Sequence, residues 1–162
     1  RALDAHAGDR GSARLRVIVG GTMAKLAVSR GRVSEGEALA VLALDALDVP
    51  QRPYLAAEDA YVHLVLGEAL AAQGRCAEAL PAYAPAVALY RRLHVPDSPW
   101  LGEAYARESA CLREAGRTAE ARERLAAARA IYARAGPLNA PMTRALADAE
   151  APAQAVAAPG RR

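Results

Sequence analysis

The sequence has no phenylalanine, a single tryptophan and only 4% aromatic residues, yet 53% of its 162 residues are hydrophobic. A core built from it must be alanine-rich, with Leu, Val and Tyr filling the gaps. Clusters of β-branched residues bounded by turn dipeptides are missing, which argues against a sheet and favours helix throughout. No apolar run approaches the roughly 18 residues of a membrane span. A same-sign charge cluster with stacking aromatics is also lacking. The net charge is +3, and Arg and Glu interleave at Arg122, Glu123, Arg124 and Arg129. That is the pattern of a solvated helix face, and it argues against a nucleic-acid partner.

Chemistry is equally thin. His6, His63 and His94 are scattered, no serine lies in a Gly-x-Ser-x-Gly turn, and Gly20-Gly21-Thr22 lacks the Gly-Lys-Ser/Thr ending of a phosphate loop. The kinase signatures Val-Ala-Ile-Lys, His-Arg-Asp and Asp-Phe-Gly are missing too. The chain is therefore expected not to be an enzyme and to carry no cofactor. The two cysteines, Cys76 and Cys111, have no metal-binding spacing, so no metal site is expected. They are read as free, small apolar residues. The chain opens at Arg1 with no signal-like apolar stretch, which suggests a fragment of a longer protein and a cytoplasmic setting. Its Ala- and Arg-rich composition fits a bacterial source.

What the sequence does contain is a repeat. Gly31-Arg32-Val33-Ser34-Glu35-Gly36, Gly74-Arg75-Cys76-Ala77-Glu78-Ala79 and Gly116-Arg117-Thr118-Ala119-Glu120-Ala121 recur at steps of 43 and 42 residues. Each glycine is flanked by apolar stripes of helical spacing, such as Ala79, Tyr83, Ala86, Val87 and Tyr90. The unit is thus helix, tight glycine turn, antiparallel helix.

Small residues fall in register: Ala24, Gly67 and Ser109 seven before each glycine, Gly36, Ala79 and Ala121 five after, Ala43, Ala86 and Ala128 twelve after. They let the paired helices approach closely. Nine after the glycine stand Ala40, Tyr83 and Leu125.

Helices are expected over 13–30, 34–49, 54–73, 77–94, 99–115, 118–135 and 139–150. Residues 1–12 read as a polar segment, either a loop or the end of a helix, 13–150 as the repeat domain, and 151–162 as a disordered tail. Pro50 and Pro53 separate the first two hairpins, Ser98-Pro99 marks a helix start with a capping hydroxyl, and Pro85 should kink its helix or delay its start. Pro141 lies 42 residues after Pro99, so the last helix looks like the first half of a fourth copy that caps the stack.

This pattern resembles the tetratricopeptide repeat over roughly residues 17–135. The best-matching unit is Leu66, Gly67, Leu70, Gly74, Ala79, Tyr83 and Ala86. The next keeps Ser109, Leu112, Gly116, Ala121, Leu125 and Ala128 but has Glu108 where the family prefers an apolar residue. The first has Gly20-Gly21 inside its leading helix. The long step and the bridge from Tyr90 to Pro99 look like the kinesin-light-chain-type variant. More faintly, that bridge with Trp100 resembles helical regions of bacterial serine/threonine kinases.

The resemblance implies an all-α, right-handed solenoid of antiparallel helix hairpins. It would serve as a protein–protein interaction scaffold, with no membrane contact. A regulatory region of a larger signalling kinase or transcription regulator, or a self-association module forming a homo-oligomer, are the alternatives.

Carrying over the family's concave groove points to Tyr61, Leu64, Val65, Glu68 and Ala72 in the second hairpin. In the third it points to Glu103, Ala106, Arg107, Ala110, Arg113 and Glu114. The first would add Ile18, Thr22, Lys25 and Ser29. Tyr61, Leu64 and Val65 would form an apolar floor flanked by Arg107 and Arg113, suited to a peptide with an apolar anchor and an acidic group. A chaperone-binding carboxylate clamp is not expected, because Ala106 and Ala110 stand where its polar residues would.

Overall fold

The computed structural model describes residues 2–47, 56–93 and 98–151, with side chains described from residue 13 onward. Among the described residues seven helices follow one another: α1 (Ala2–Ser29), α2 (Val33–Asp45), α3 (Ala56–Ala72), α4 (Cys76–Arg92), α5 (Pro99–Glu114), α6 (Thr118–Ala135) and α7 (Ala140–Glu150). No strand occurs among the described residues. The architecture is an all-α helical-repeat solenoid of three hairpins plus a seventh helix, as the repeat implied. The Pro50–Pro53 break, most of the bridge before Pro99, and the tail beyond 151 lie outside the described residues.

The three glycine turns are built alike. Gly31, Gly74 and Gly116 have φ of 77°, 73° and 75°, a conformation costly for any side chain. In each, the following arginine donates its backbone N–H to a carbonyl five residues back: Arg32 to Ala27, Arg75 to Leu70, Arg117 to Leu112. The glycine N–H bonds three back, and the two bonds together close a Schellman motif. Each arginine then pairs with the glutamate three residues on, as Arg75 does with Glu78 and Arg117 with Glu120. The hexapeptide is therefore a complete turn specification.

Within the hairpins, small and large residues meet as the register requires. A Cβ on Gly67 would sit 2.3 Å from the Tyr83 ring, and one on Gly102 would sit 2.6 Å from the Tyr132 ring. The buried Ser109 hydroxyl donates to the Ala121 carbonyl at 2.8 Å. Gly20 and Gly21 do not break α1. They let it lie against α2 and α3, where a Cβ would come 2.9 Å from Ala43 and 3.0 Å from Val62.

Several local details sharpen or correct these expectations. The first helix starts at Ala2 rather than near 13, running through Gly8 and Gly11. α4 begins at Cys76 and continues through Pro81 and Pro85. The N–H that Pro85 lacks would have reached the carbonyl of Pro81, and the one Pro81 lacks would have reached that of Ala77; both residues are exposed, on the solvent side of the helix. Ser98 does precede α5, but its hydroxyl makes no capping bond. Glu108 does not loosen its helix: it lies 2.8 Å from Arg124 Nε, and that guanidinium stacks over Tyr105 at 5.4 Å.

α7 opens on Asn139, whose side chain accepts from Met142 N at 3.0 Å. Its buried Met142, Ala145 and Ala149 join the larger core, which runs from α3 to α7. A smaller core holds α1 and α2 to α3 through Val17, Ala24, Ala40, Ala43, Leu47, Val62 and Val65.

Candidate functional site

The stacking brings α1, α3, α5 and α7 together around a cleft of about 600 Å³. Its lining comes from Lys25 and Ser29 on α1, Glu68, Ala71 and Ala72 on α3, and Arg107, Ala110, Arg113 and Glu114 on α5. α7 contributes Pro141, Arg144 and Asp148, and Tyr83, Cys76 and Cys111 also line it.

The cleft is organised by charge. Lys25 Nζ donates to Glu68 Oε2 at 2.5 Å and to Glu103 Oε1 at 3.0 Å. Arg107 Nη2 lies 2.5 Å from Glu68 Oε1 and 3.5 Å from Glu103 Oε1, while its Nη1 reaches Asp148 Oδ2 at 3.4 Å. Glu103 is wholly buried and Glu68 nearly so. A carboxylate so placed is tolerable only when paired, and two cations meet the two glutamates. Burial alone would weaken the Arg107 charge, but Glu68 and Glu103 outweigh it and hold its pKa above the usual value. Arg113 donates to the carbonyls of Ala149 and Asp148 at 2.5 and 3.0 Å. These belong to the last turn of α7, where a helix favours a cation.

Of the residues expected in the groove, Glu68, Ala72, Arg107, Ala110, Arg113 and Glu114 do line the cleft. Glu103 anchors the charges from the buried side. Leu64, Val65 and Ala106 are wholly buried, so they support neighbouring helices and offer no apolar floor to a ligand. Tyr61 packs edge-on against Trp100 at 5.6 Å. Burial, with Glu68 and Glu103 nearby, raises its phenol pKa to about 12. Lys25 and Ser29 of the first hairpin reach the cleft, whereas Ile18 and Thr22 are absent from its lining and stay exposed. His63 faces Asp59 at 3.2 Å, one turn away on α3.

The cysteines are not free. Cys76 and Cys111 form a disulfide across a Cα–Cα distance of 5.0 Å, joining the start of α4 to α5. Read one at a time they look like unrelated positions. They meet because the second half of one hairpin packs on the first half of the next. Disulfides are uncommon in reducing compartments, so the bond lends no support to the expected cytoplasmic setting.

Sequence reading missed Asp148 and Arg144. The signal is present: Asp148 lies 42 residues after Ala106, one of the groove positions, on the helix whose Pro141 marks the fourth copy.

Among the described residues no group of three or more His, Cys, Asp or Glu is arranged to hold a metal ion. No described helix is long and apolar enough to cross a membrane. No curated protein and no solved structure matches the chain significantly. Tetratricopeptide repeats generally mediate protein–protein interactions and are typically non-enzymatic scaffolds. Residues 58–134, the stretch of α3 to α6 with its two glycine turns, match the family model of the tetratricopeptide repeat.

Proposed function

We propose that this chain is a protein-interaction scaffold that receives a polypeptide segment in the cleft between α1, α3, α5 and α7. The observation that carries it is the cleft itself: small side chains at Ala71, Ala72 and Ala110 leave room beside a fixed array of charges. A segment lying there meets donors from Lys25, Arg107, Arg113 and Arg144 and acceptors from Glu114 and Asp148. The partner is thus a polar peptide bearing a carboxylate, which takes the place of Asp148 on Arg107. An apolar anchor drops out of the reading, because Leu64 and Val65 lie beneath the surface. The steps of 43 and 42 residues support the long-period, kinesin-light-chain-type variant.

The test is capture of a partner from lysate by the whole chain, compared with an Ala72→Trp/Arg144→Glu variant. Both positions are exposed on the cleft and lie outside the buried charge array, so the fold is retained. A partner held by the parent and lost by the variant supports the reading. A partner indifferent to the change overturns it.

A further inference from the structure

From residue 13 onward, the side of α1 that packs on α2 and α3 is well defined. Gly20 faces Ala43 of α2, Gly21 faces Val62 and Tyr61 of α3, and buried Ala13, Val17, Ala24 and Ala27 complete that side. On the opposite side Leu15, Ile18, Val19, Met23 and Leu26 are 41 to 62% exposed. Their spacing of three and four residues makes a continuous stripe along the helix. The Thr22 hydroxyl on this side is taken up by the helix's own backbone, donating to the Ile18 carbonyl at 2.7 Å.

We propose that this stripe is a homodimer interface, packed antiparallel on α1 of a second copy about a two-fold axis near Gly20-Gly21. Two observations select a second copy. The stripe is nearly self-complementary: reversed about its centre, Leu15 meets Leu26, Ile18 meets Met23, and Val19 meets the Thr22 methyl, as a two-fold interface requires. Its size also fits. The five side chains expose on the order of 400 Å², within the range of the largest apolar patch on a monomer, which is often functional. That is close to the apolar share, slightly over half, of the roughly 800 Å² each partner gives a standard interface. Two of the basic residues flanking the stripe are held by their own chain, Arg14 by Glu58 and Lys25 by Glu68 and Glu103.

The experiment is sedimentation equilibrium of the whole chain from micromolar to millimolar, with Leu15→Glu and Leu26→Lys variants. The parent should be a dimer, and each variant alone should dissociate at least about tenfold more readily, because a buried charge faces leucine. Mixed in equal amounts the two variants should pair again, since Glu at 15 then meets Lys at 26 of the other copy. A parent monomeric throughout the range overturns the proposal. So does a dimer untouched by either substitution, or variants that fail to restore one another, which would mean another surface or another segment covers the stripe.

Discussion

Lys25 Nζ lies 3.0 Å from Glu103 Oε1 although 78 residues separate them in the chain. The contact ties α1 to α5, passing over α3, where Glu68 serves the same lysine. Removing Glu103 leaves Lys25 and Arg107 short of a buried carboxylate. Glu103→Ala should therefore cost about 3–5 kcal/mol, seen as a lowered urea midpoint. An unchanged midpoint would mean that water replaces the carboxylate without penalty.

Gly67→Ser should destabilise by about 1–3 kcal/mol, because the Tyr83 ring occupies the space. The third hairpin solves the same position with Ser109 and Leu125. Adding Tyr83→Leu to Gly67→Ser should recover part of the loss in thermal melts. A double variant no better than the sum of its parts would deny that the two hairpins share one packing rule.

Disulfide removal should be costly. Cys76→Ser/Cys111→Ser opens a loop of 35 residues' separation and should lower stability by about 2–4 kcal/mol. Denaturant curves with and without reductant check this: reductant should move the parent curve toward the variant's and leave the variant's in place.

Leu70 and Leu112 occupy the same position in consecutive hairpins and both are buried. Truncation of either to alanine should cost about 2–5 kcal/mol. Melting like the parent in both would contradict the repeat register.

High pH should unfold the chain through its tyrosines. Burial raises the phenol pKa of Tyr61 to about 12, and those of Tyr83, Tyr90 and Tyr132 higher still. A phenol whose pKa is raised on folding stabilises fully below its unfolded value of about 10. That contribution declines as pH climbs from there through the folded value. The phenolate absorbance of these residues should therefore appear together with loss of helicity. Ionisation with the helices intact would contradict the burial.

The hairpins were legible in the sequence because they rest on local chemistry. Glycine at a positive φ sets each turn, and a one-to-one match of small with bulky residues, as in Gly67 and Tyr83, sets each pairing. The cleft was legible only in part. A helix in a stack has neighbours on several sides, so an apolar stripe such as Leu64 and Val65 reads the same whether it faces a groove or another helix. Arg107 likewise takes two of its partners, Glu68 and Asp148, from other helices, which no single-helix pattern reveals. The disulfide depends on how one hairpin settles on the next, a relation that lies outside either unit.

A linear array of similar units ordinarily melts from its ends, because a boundary between ordered and melted units costs only one interface. Here each such boundary has its own clasp. Glu37 is gripped by Gln73 and Arg75, the disulfide binds the middle units, and Arg129 reaches Glu150 at the far end. Lys25 adds a tie that spans two boundaries at once. Each tie opposes separation of the units it joins, and the disulfide and the buried Lys25 contacts oppose it more than the exposed ion pairs do. A segment gripped at one end of the cleft would accordingly be sensed at the other without any hinge to carry the message.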